Sequence, residues 1–274
     1  MIRWLVMPQD ISVKYYQKSI PKDISVSTTS YHNHHFPKHF HDHYTIQFII
    51  EGVNEGFTES NKYKIGKNGL LIINPGEIHA GNSLNNKALK FHSIRLGKKF
   101  LKNIFEQNRI PLRGGPYFKN QPIYCSKLSG LTQSLISNLI LEDRLGIEFG
   151  LSELLMELIQ NFSQRSIRKD HSKQASINSA RDFLNDNFNK NLTLEQISEV
   201  SHLSPYHFLR QFKKQFGLSP LQYLRNIRVE KAKTLIPHYS ISQVAHQVGF
   251  YDHSHFLRFY KNIEGTTPSN RFNI

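Results

Sequence analysis

Histidine side chains in the first third of the chain are spaced as they would be in a shared binding site. His39, His41 and His43 alternate, so that in a strand their side chains project to one side. His79 follows at the end of the next apolar run. Three converging imidazoles can hold zinc or iron, and the same polar groups can line a pocket for an organic molecule. Both kinds of site remain open at this point.

Arginine is the second residue of chemical interest, because it recurs within a duplicated segment. Residues 207–210, His-Phe-Leu-Arg, return as residues 255–258, 48 positions later. A lysine, a glycine and a proline recur at the same offset, as Lys213 and Lys261, Gly217 and Gly265, and Pro220 and Pro268. A guanidinium group can bond guanine O6 and N7 together. Arg210 and Arg258 are therefore candidate readers of DNA bases.

Each copy of the duplicated segment carries the start and stop signals of two helices. Thr193 with Gln196, and Ser240 with Gln243, have the spacing of capping boxes. Ser204 and Ser219 each place a capping hydroxyl directly before a proline that can start a helix, and Asp252 is a further predicted N-cap. Two glycines, Gly217 and Gly265, are predicted to end helices. The helices predicted from these signals are Leu194–Ser201, Pro205–Phe216, Pro220–Ile236, Ile241–Val248 and His253–Glu264.

A short helix, a tight turn and a longer helix form a helix-turn-helix unit, whose second helix fits the major groove of DNA. Such units are predicted at residues 194–216 and 241–264. One unit alone is as well explained by packing, but two units with arginine at the same position favour DNA binding. The bridging helix has 17 predicted residues and is about 25 Å long. It would separate two recognition helices that enter successive major grooves, ~34 Å apart.

The core stripe of each recognition helix is aromatic, and it determines which residues face outward. Phe208, Phe212 and Phe216 recur every four residues in the first copy, and Phe256 and Tyr260 in the second. The predicted DNA-binding residues on the opposite faces are Tyr206, His207, Leu209, Arg210, Lys213, Lys214, His253, Ser254, Leu257, Arg258 and Lys261. The arginines are expected to read bases, and Ser, His and Lys at the helix ends to contact phosphates.

The first half of the chain reads as strands followed by helices. Residues 44–50 alternate with period two, and a second apolar run covers residues 70–73. Gly52 and Gly56 are taken as turn signals, so a small antiparallel barrel or sandwich is expected. Leucines then recur at three- and four-residue steps over residues 128–162, typical of two amphipathic helices. These helices either cover the barrel or form a homodimer seam, and both alternatives remain open.

Composition limits the remaining possibilities. The chain has 274 residues, enough for two domains, and a formal net charge of +14, which permits a polyanionic partner such as DNA. It has no stretch of about 18 apolar residues and no secretory signal at Met1–Pro8, and its one cysteine, Cys125, cannot form an internal disulfide. We therefore expect a cytoplasmic protein that does not contact membranes. No catalytic triad, phosphate-binding loop or dinucleotide fingerprint is visible, so we expect neither an enzyme nor a cofactor.

Residues 176–272 resemble the DNA-binding domain of the AraC/XylS family of bacterial transcription regulators. The residues that carry the resemblance include Ser204-Pro205, Phe208–Lys213, Gly217–Pro220, Ile241, Val244-Ala245, Val248–Phe250, Phe256–Arg258 and Gly265–Pro268. Two small departures are Ser198, where the family usually has alanine, and Tyr260, where it usually has phenylalanine. The resemblance implies binding to promoter DNA at two adjacent half-sites and contact with RNA polymerase.

The segment from about residue 30 to 95 resembles the cupin barrel, the usual sensor fold of that family. The matching motifs are His39-Phe40-His41 with Gly52, and Pro75-Gly76-Glu77-Ile78-His79. Metal-dependent cupin enzymes add a glutamate after the histidine pair, and Thr45 stands at about that position. We therefore favour an effector pocket without metal, formed by His39, His41, Thr45, Gln47 and His79. A metal-dependent cupin enzyme fused to a DNA-binding domain is the alternative.

Together these observations predict an α+β protein of two domains. Residues 1–165 are expected to form a cupin-like β-barrel with flanking helices that senses a small-molecule effector and dimerises through residues 128–162. Residues 172–274 are expected to form an all-α domain with two helix-turn-helix units joined by a linker helix. The expected function is sequence-specific regulation of transcription. A DNA-binding protein that senses no effector is a third possibility.

Overall fold

The computed structural model describes residues 11–16, 20, 23–32, 34–58, 61–84, 87–107, 115–165 and 175–272. Of these, the residues up to 35 and from 41 to 165 form one compact unit, and residues 36–40 and 175–272 form a second. The region of Met1–Pro8 and most of the polar join predicted at residues 163–173 lie outside the described residues. Within the described ranges, no helix has both the length and the apolar character needed to cross a membrane.

The strands build two antiparallel sheets. In chain order they are β1 (Ile11–Tyr16), β2 (Ile24–Tyr31), β3 (His35–His39), β4 (Tyr44–Glu51), β5 (Val53–Thr58), β6 (Lys62–Gly66), β7 (Leu70–Ile73), β8 (His79–Ser83), β9 (Leu89–Leu96), β10 (Pro116–Phe118) and β11 (Ser163–Arg165). The larger sheet has the order β1-β2-β9-β4-β7. In the second sheet β5 pairs with both β6 and β8. A separate short ribbon joins β10 to β11.

Three helices cover one face of the five-stranded sheet. They are α1 (Lys98–Gln107), α2 (Ser126–Leu141) and α3 (Arg144–Phe162). Side chains at alternate positions of β4 and β9, such as Ile46, Ile94 and Leu96, join the helices in one apolar core. The other face of the sheet turns toward the second sheet, because Asn54 of β5 donates a hydrogen bond from Nδ2 to Gln47 Oε1 of β4 at 2.8 Å. This is the expected barrel-like arrangement, with flanking helices.

The leucine stripe of α2 and α3 serves the core of the first unit. Seven of its members are buried in that core, namely Leu128, Leu135, Leu139, Leu151, Leu154, Leu155 and Leu158, and the other two, Leu131 and Phe162, are half-buried against it. The structure therefore favours the covering role for this stripe, and these leucines are not the surface of a dimer seam. The exposed apolar residues of the pair lie instead where the helices meet, at Ile140, Leu141, Leu145 and Phe149.

Two local expectations for the first unit are wrong. Gly56 lies inside β5 rather than in a turn, and a Cβ atom there would lie 2.0 Å from the carbonyl oxygen of Ala80 on the adjacent strand. Only a glycine permits this close approach. The segment from His41 to His43 is not part of a strand, since β3 ends at His39 and β4 begins at Tyr44. Gly52, by contrast, does occupy a turn, with φ of +80°.

The second unit is helical from residue 175 onward. Its helices are α4 (Ala175–Asp186), α5 (Leu194–Glu199), α6 (Pro205–Phe216), α7 (Pro220–Leu235), α8 (Ile241–Gln247), α9 (His253–Glu264) and α10 (Pro268–Phe272). The predicted bounds of α6 and α9 agree with the structure, and α5, α7 and α8 end one or two residues earlier than predicted. The C-terminal part of the core joins α7, α8 and α9 through Val229, Val244 and Phe256.

Candidate functional site

The two predicted helix-turn-helix units are α5 with α6, and α8 with α9. Thr193 and Gln196 form a complete capping box at the start of α5, and Ser240 and Gln243 form one at the start of α8. In the first unit the turn between the helices contains His202 with φ of +54°, and in the second it contains Gly249 with φ of +87°. The two copies therefore make the same kind of sharp turn before the longer helix.

The longer helix of each unit is fixed at both ends by local contacts. Asp252 caps α9, because its Oδ1 accepts a hydrogen bond from the His255 backbone N–H at 2.7 Å. Gly217 and Gly265 end α6 and α9 in the left-handed conformation. Ser204 is the N-cap residue of α6, but its side chain makes no capping hydrogen bond. Our expectation of a capping hydroxyl at Ser204 is therefore wrong.

Aromatic packing sets the rotation of both recognition helices. Phe208 and Phe212 of α6 are fully buried, and the Phe212 ring lies 5.6 Å from the Tyr223 ring of α7. Phe256 and Tyr260 of α9 are equally buried. Since these rings define the inner face of each helix, the residues on the opposite side must face outward.

The predicted DNA-contacting residues lie on these outer faces. Tyr206 is 77% exposed, and a larger set is also exposed, namely His207, Arg210, Lys213, Lys214, Ser254, Arg258 and Lys261. Leu209, His253 and Leu257 are half-buried. Arg210 and Arg258 form no hydrogen bond or ion pair with any residue that the structure describes. Both guanidinium groups are therefore available to an external partner.

The charge on these faces is positive. Helix α6 contains no acidic residue, and the single acid of α9, Glu264, is buried and paired with the side chains of Lys233 and Arg271. The pKa of His255 is lowered from its usual value, first by burial and then by the cation of Arg225, which favours the neutral form of this ring. The fixed charges are thus those of a surface that attracts phosphates.

Helix α7 connects the two helix-turn-helix units. It is held by an arginine that the sequence analysis did not single out as a functional residue. Its 16 residues span about 24 Å. Arg228 donates from Nε to the Phe188 carbonyl at 2.7 Å and from NH2 to the Lys190 carbonyl at 2.8 Å. The same guanidinium lies 5.8 Å from the centre of the Phe250 ring, in the turn of the second unit. Arg228 therefore attaches two segments to α7. One is the segment that precedes the first helix-turn-helix unit, and the other is the turn of the second helix-turn-helix unit.

The predicted effector residues of the first compact unit, which contains the two sheets, lie at one end of the barrel. The ring centroids of His41 and His79 are 5.3 Å apart, and His43 stacks on His41 at 4.8 Å. Thr45 is buried, and its hydroxyl has no hydrogen-bond partner among the described residues. Gln47 is bonded to Asn54 of the facing sheet. His39 belongs to the other compact unit, where its Nδ1 lies 2.7 Å from the Pro37 carbonyl oxygen.

Two polar residues of the barrel interior were missed by the sequence analysis. Arg95 of β9 donates from NH1 to Ser27 Oγ of β2 at 3.2 Å. These residues are 68 positions apart, and neither belongs to a recognisable motif. The signal that was present is an arginine between two buried apolar residues, Ile94 and Leu96, in a strand.

Comparison with known proteins gives two matching domain families. Residues 21–159 match the AraC-like ligand binding domain, and residues 197–273 match a helix-turn-helix domain. The uncharacterized HTH-type transcriptional regulator YbfI of Bacillus subtilis is 30% identical over 204 residues, which is 72% of each chain. The lactose operon transcription activator of Staphylococcus xylosus is 38% identical over 89 residues, 32% of this chain and 31% of that protein.

Among solved structures, ToxT from Vibrio cholerae O395 has the same two-part fold. It aligns with a TM-score of 0.57 and 12% identity over 92% of this chain and 98% of its own. The helix-turn-helix and ligand-binding matches together cover both described units. The chain thus belongs to the AraC family of DNA-binding transcription regulators, with an N-terminal ligand-binding domain.

Proposed function

We propose that α6 and α9 read two adjacent half-sites of a promoter, with Arg210 and Arg258 as the equivalent base readers. The observation that supports this most strongly is that both arginines are exposed, without a described partner, at matching positions of a duplicated unit. Tyr206, Leu209 and Leu257 would add contacts to base edges. The positioning contacts to phosphates would come from His207, Lys213, Lys214, His253, Ser254 and Lys261.

A gel-shift titration with Arg210→Ala and Arg258→Ala tests this assignment. Each variant is expected to lose about 1–3 kcal/mol of binding free energy, and to lose discrimination only at the base pairs of its own half-site. Lys214→Ala should weaken binding evenly across sequences and lower the salt dependence. Arg144→Ala, which removes an exposed arginine of α3, is the matched control and should bind like the wild type. Unchanged specificity in both half-site variants would refute the assignment.

The ligand-binding domain is proposed to control this DNA binding through a small-molecule effector. The effector would contact His41, Thr45, Gln47 and His79 at the polar end of the barrel. It can change transcription only by binding one arrangement of the protein better than another. Thr45 stands where a metal-dependent cupin enzyme has a carboxylate, and this supports a sensor rather than an enzyme with a metal cofactor. Contact with RNA polymerase at the promoter completes the proposed role, in the cytoplasm.

The exposed apolar residues Ile140, Leu141, Leu145 and Phe149 support a homodimer contact within residues 128–162. Each side chain is at least 59% exposed, and clustered exposed apolar residues are typical of protein–protein contacts. Leu145→Asp should leave the fold intact and convert a dimer into a monomer in analytical ultracentrifugation. Asn103→Asp, on the exposed side of α1 and away from this patch in sequence, is the control. A wild-type monomer at micromolar concentration would refute this contact.

A further inference from the structure

The interior face of the barrel is polar at the end where β4 begins and β9 ends. Thr45 pairs with Arg95 across these strands, and Ser27 pairs with Ser93 across β2 and β9. Their neighbours along the strands, such as Ile94, belong to the apolar core under the helices. Because side chains alternate between faces, the hydroxyls and the guanidinium lie on the opposite face, which the Gln47–Asn54 hydrogen bond turns toward the second sheet.

Arg95 is half-buried on this interior face, and its guanidinium group is only partly hydrogen-bonded. Its NH1 donates to the Ser27 hydroxyl, whereas its Nε is enclosed and has no hydrogen-bond partner. No carboxylate among the described residues forms an ion pair with it. An enclosed guanidinium nitrogen without a hydrogen-bond partner is unfavourable in the folded state.

The hydroxyl and amide groups around this end are also incompletely bonded. The enclosed oxygens Thr45 Oγ1, Ser83 Oγ and Asn54 Oδ1 have no hydrogen-bond partner among the described residues, and the three side chains are 8%, 3% and 3% exposed. Buried polar atoms normally find partners. Groups of this kind that line the interior of a barrel are suited to hydroxyls of a bound molecule.

We propose that the barrel interior binds a small polyhydroxylated molecule with an anionic group, and that Arg95 pairs with this group. A guanidinium fork matches a carboxylate or a phosphate, with two parallel hydrogen bonds. Thr45, Ser83 and Asn54 bond the hydroxyl groups of the same ligand. This inference deepens the proposed sensor role, because it names the chemical class of the effector and a residue that recognises it.

The test uses three probes with the same sugar ring on the full-length protein: D-glucose, D-glucuronate and D-glucose 6-phosphate. Thermal unfolding is followed at increasing probe concentration up to the millimolar range. We expect at least one of the two anions to raise Tm with saturation, and glucose to have no effect. The anion that acts distinguishes a carboxylate ligand from a phosphate ligand. If neither anion raises Tm, or if glucose raises it equally, the proposal is overturned.

Arg95→Gln tests the residue. We expect this variant to bind the active anion at least 10-fold more weakly, and Arg95→Lys to retain part of the affinity. Arg144→Gln is the matched control on the surface of the same unit and should behave as the wild type. A merely structural Arg95 would give a lower Tm without ligand, whereas an anchor for a ligand leaves that Tm unchanged or raises it. Undiminished anion binding by Arg95→Gln overturns the proposal.

Gel shifts with the same proteins separate this inference from the proposed function. Unliganded Arg95→Gln should bind DNA like the wild type, and the active anion should change the DNA affinity of the wild type only. If the anion binds through Arg95 but DNA affinity does not respond, the site stands and the sensor role fails. If DNA affinity responds equally in both proteins, the assignment of Arg95 fails and the sensor role stands.

Discussion

Glu264 pairs with two cations in the interior of the C-terminal unit, and this arrangement allows a quantitative prediction. Its side chain is 0% exposed, while Lys233 and Arg271 are 10% and 11% exposed. Lys233 Nζ lies 2.5 Å from both Glu264 Oε1 and Glu230 Oε1, and Arg271 forms an ion pair with the other oxygen of Glu264. These contacts attach α10 and the end of α9 to α7.

Glu264→Gln removes the anion and leaves Arg271 without this counter-charge, whereas Lys233 keeps Glu230. Breaking a buried ion pair from one side costs about 3–5 kcal/mol, because the remaining charge stays enclosed. Glu148→Gln is the matched control, since its exposed pair with Arg144 contributes about 0.5 kcal/mol or less.

Hydrogen exchange with peptide-level mass spectrometry measures the effect in the full-length chain. At about 1.4 kcal/mol for each factor of ten, the lower limit predicts that amides of α9 and α10 in Glu264→Gln exchange about 100-fold faster. The amides of α2 and α3 should be unchanged. A rise of less than about 5-fold in α9 and α10, or an equal local rise in the Glu148→Gln control, would refute the buried-pair reasoning.

Three further predictions concern local contacts. Ser219→Ala should lower the free energy of unfolding by about 1 kcal/mol, because Ser219 Oγ accepts a hydrogen bond from the Gln222 backbone N–H. Ser204→Ala should have almost no effect, because the Ser204 side chain makes no capping hydrogen bond. Urea titrations of the two variants compare these effects. The pKa of His92 is lowered to about 4, first by burial and then by Lys90. As the pH falls below 6.5, the unfolded chain therefore takes up this proton before the folded protein does, and the free energy of unfolding should decrease by about 2 kcal/mol between pH 6.5 and 4, after a discount for solvent screening. A His92→Gln variant with the same pH profile of Tm as the wild type would contradict this. Gly56→Ala should destabilise the barrel by more than about 1 kcal/mol, because its Cβ would overlap the Ala80 carbonyl, and an unchanged Tm would contradict that close approach.

Helix signals in the sequence are local, and this is why the second unit could be predicted in detail. The bounds of α6 and α9 follow from a proline, an aspartate and two glycines at their ends, all within a few residues of the helix. The capping role of Ser204 was wrong because residue type predicts that a side chain can bond, and the local rotamer decides whether it does. Helix α10 was missed because it has five residues and is attached through Arg271 to Glu264.

The strands of the barrel could be predicted only where apolar residues alternate or form a continuous run. β4 and β7 were found from their apolar runs, whereas β8, with the sequence His-Ala-Gly-Asn-Ser, gave no such pattern. Its interior side chains are polar because they line the inside of the barrel. The contact between Arg95 and Ser27 depends on strand pairing across 68 residues, and no local signal in a single sequence encodes that pairing.

In the proposed mode of binding, two equivalent helices read two half-sites on one side of the DNA. The most direct measurement is hydroxyl-radical footprinting on a site selected from random DNA by the wild-type protein. We predict two protected blocks about one helical turn apart, with Arg210→Ala losing protection and base preference in one block and Arg258→Ala in the other. A single protected block, or the loss of both blocks together in each variant, would contradict the account.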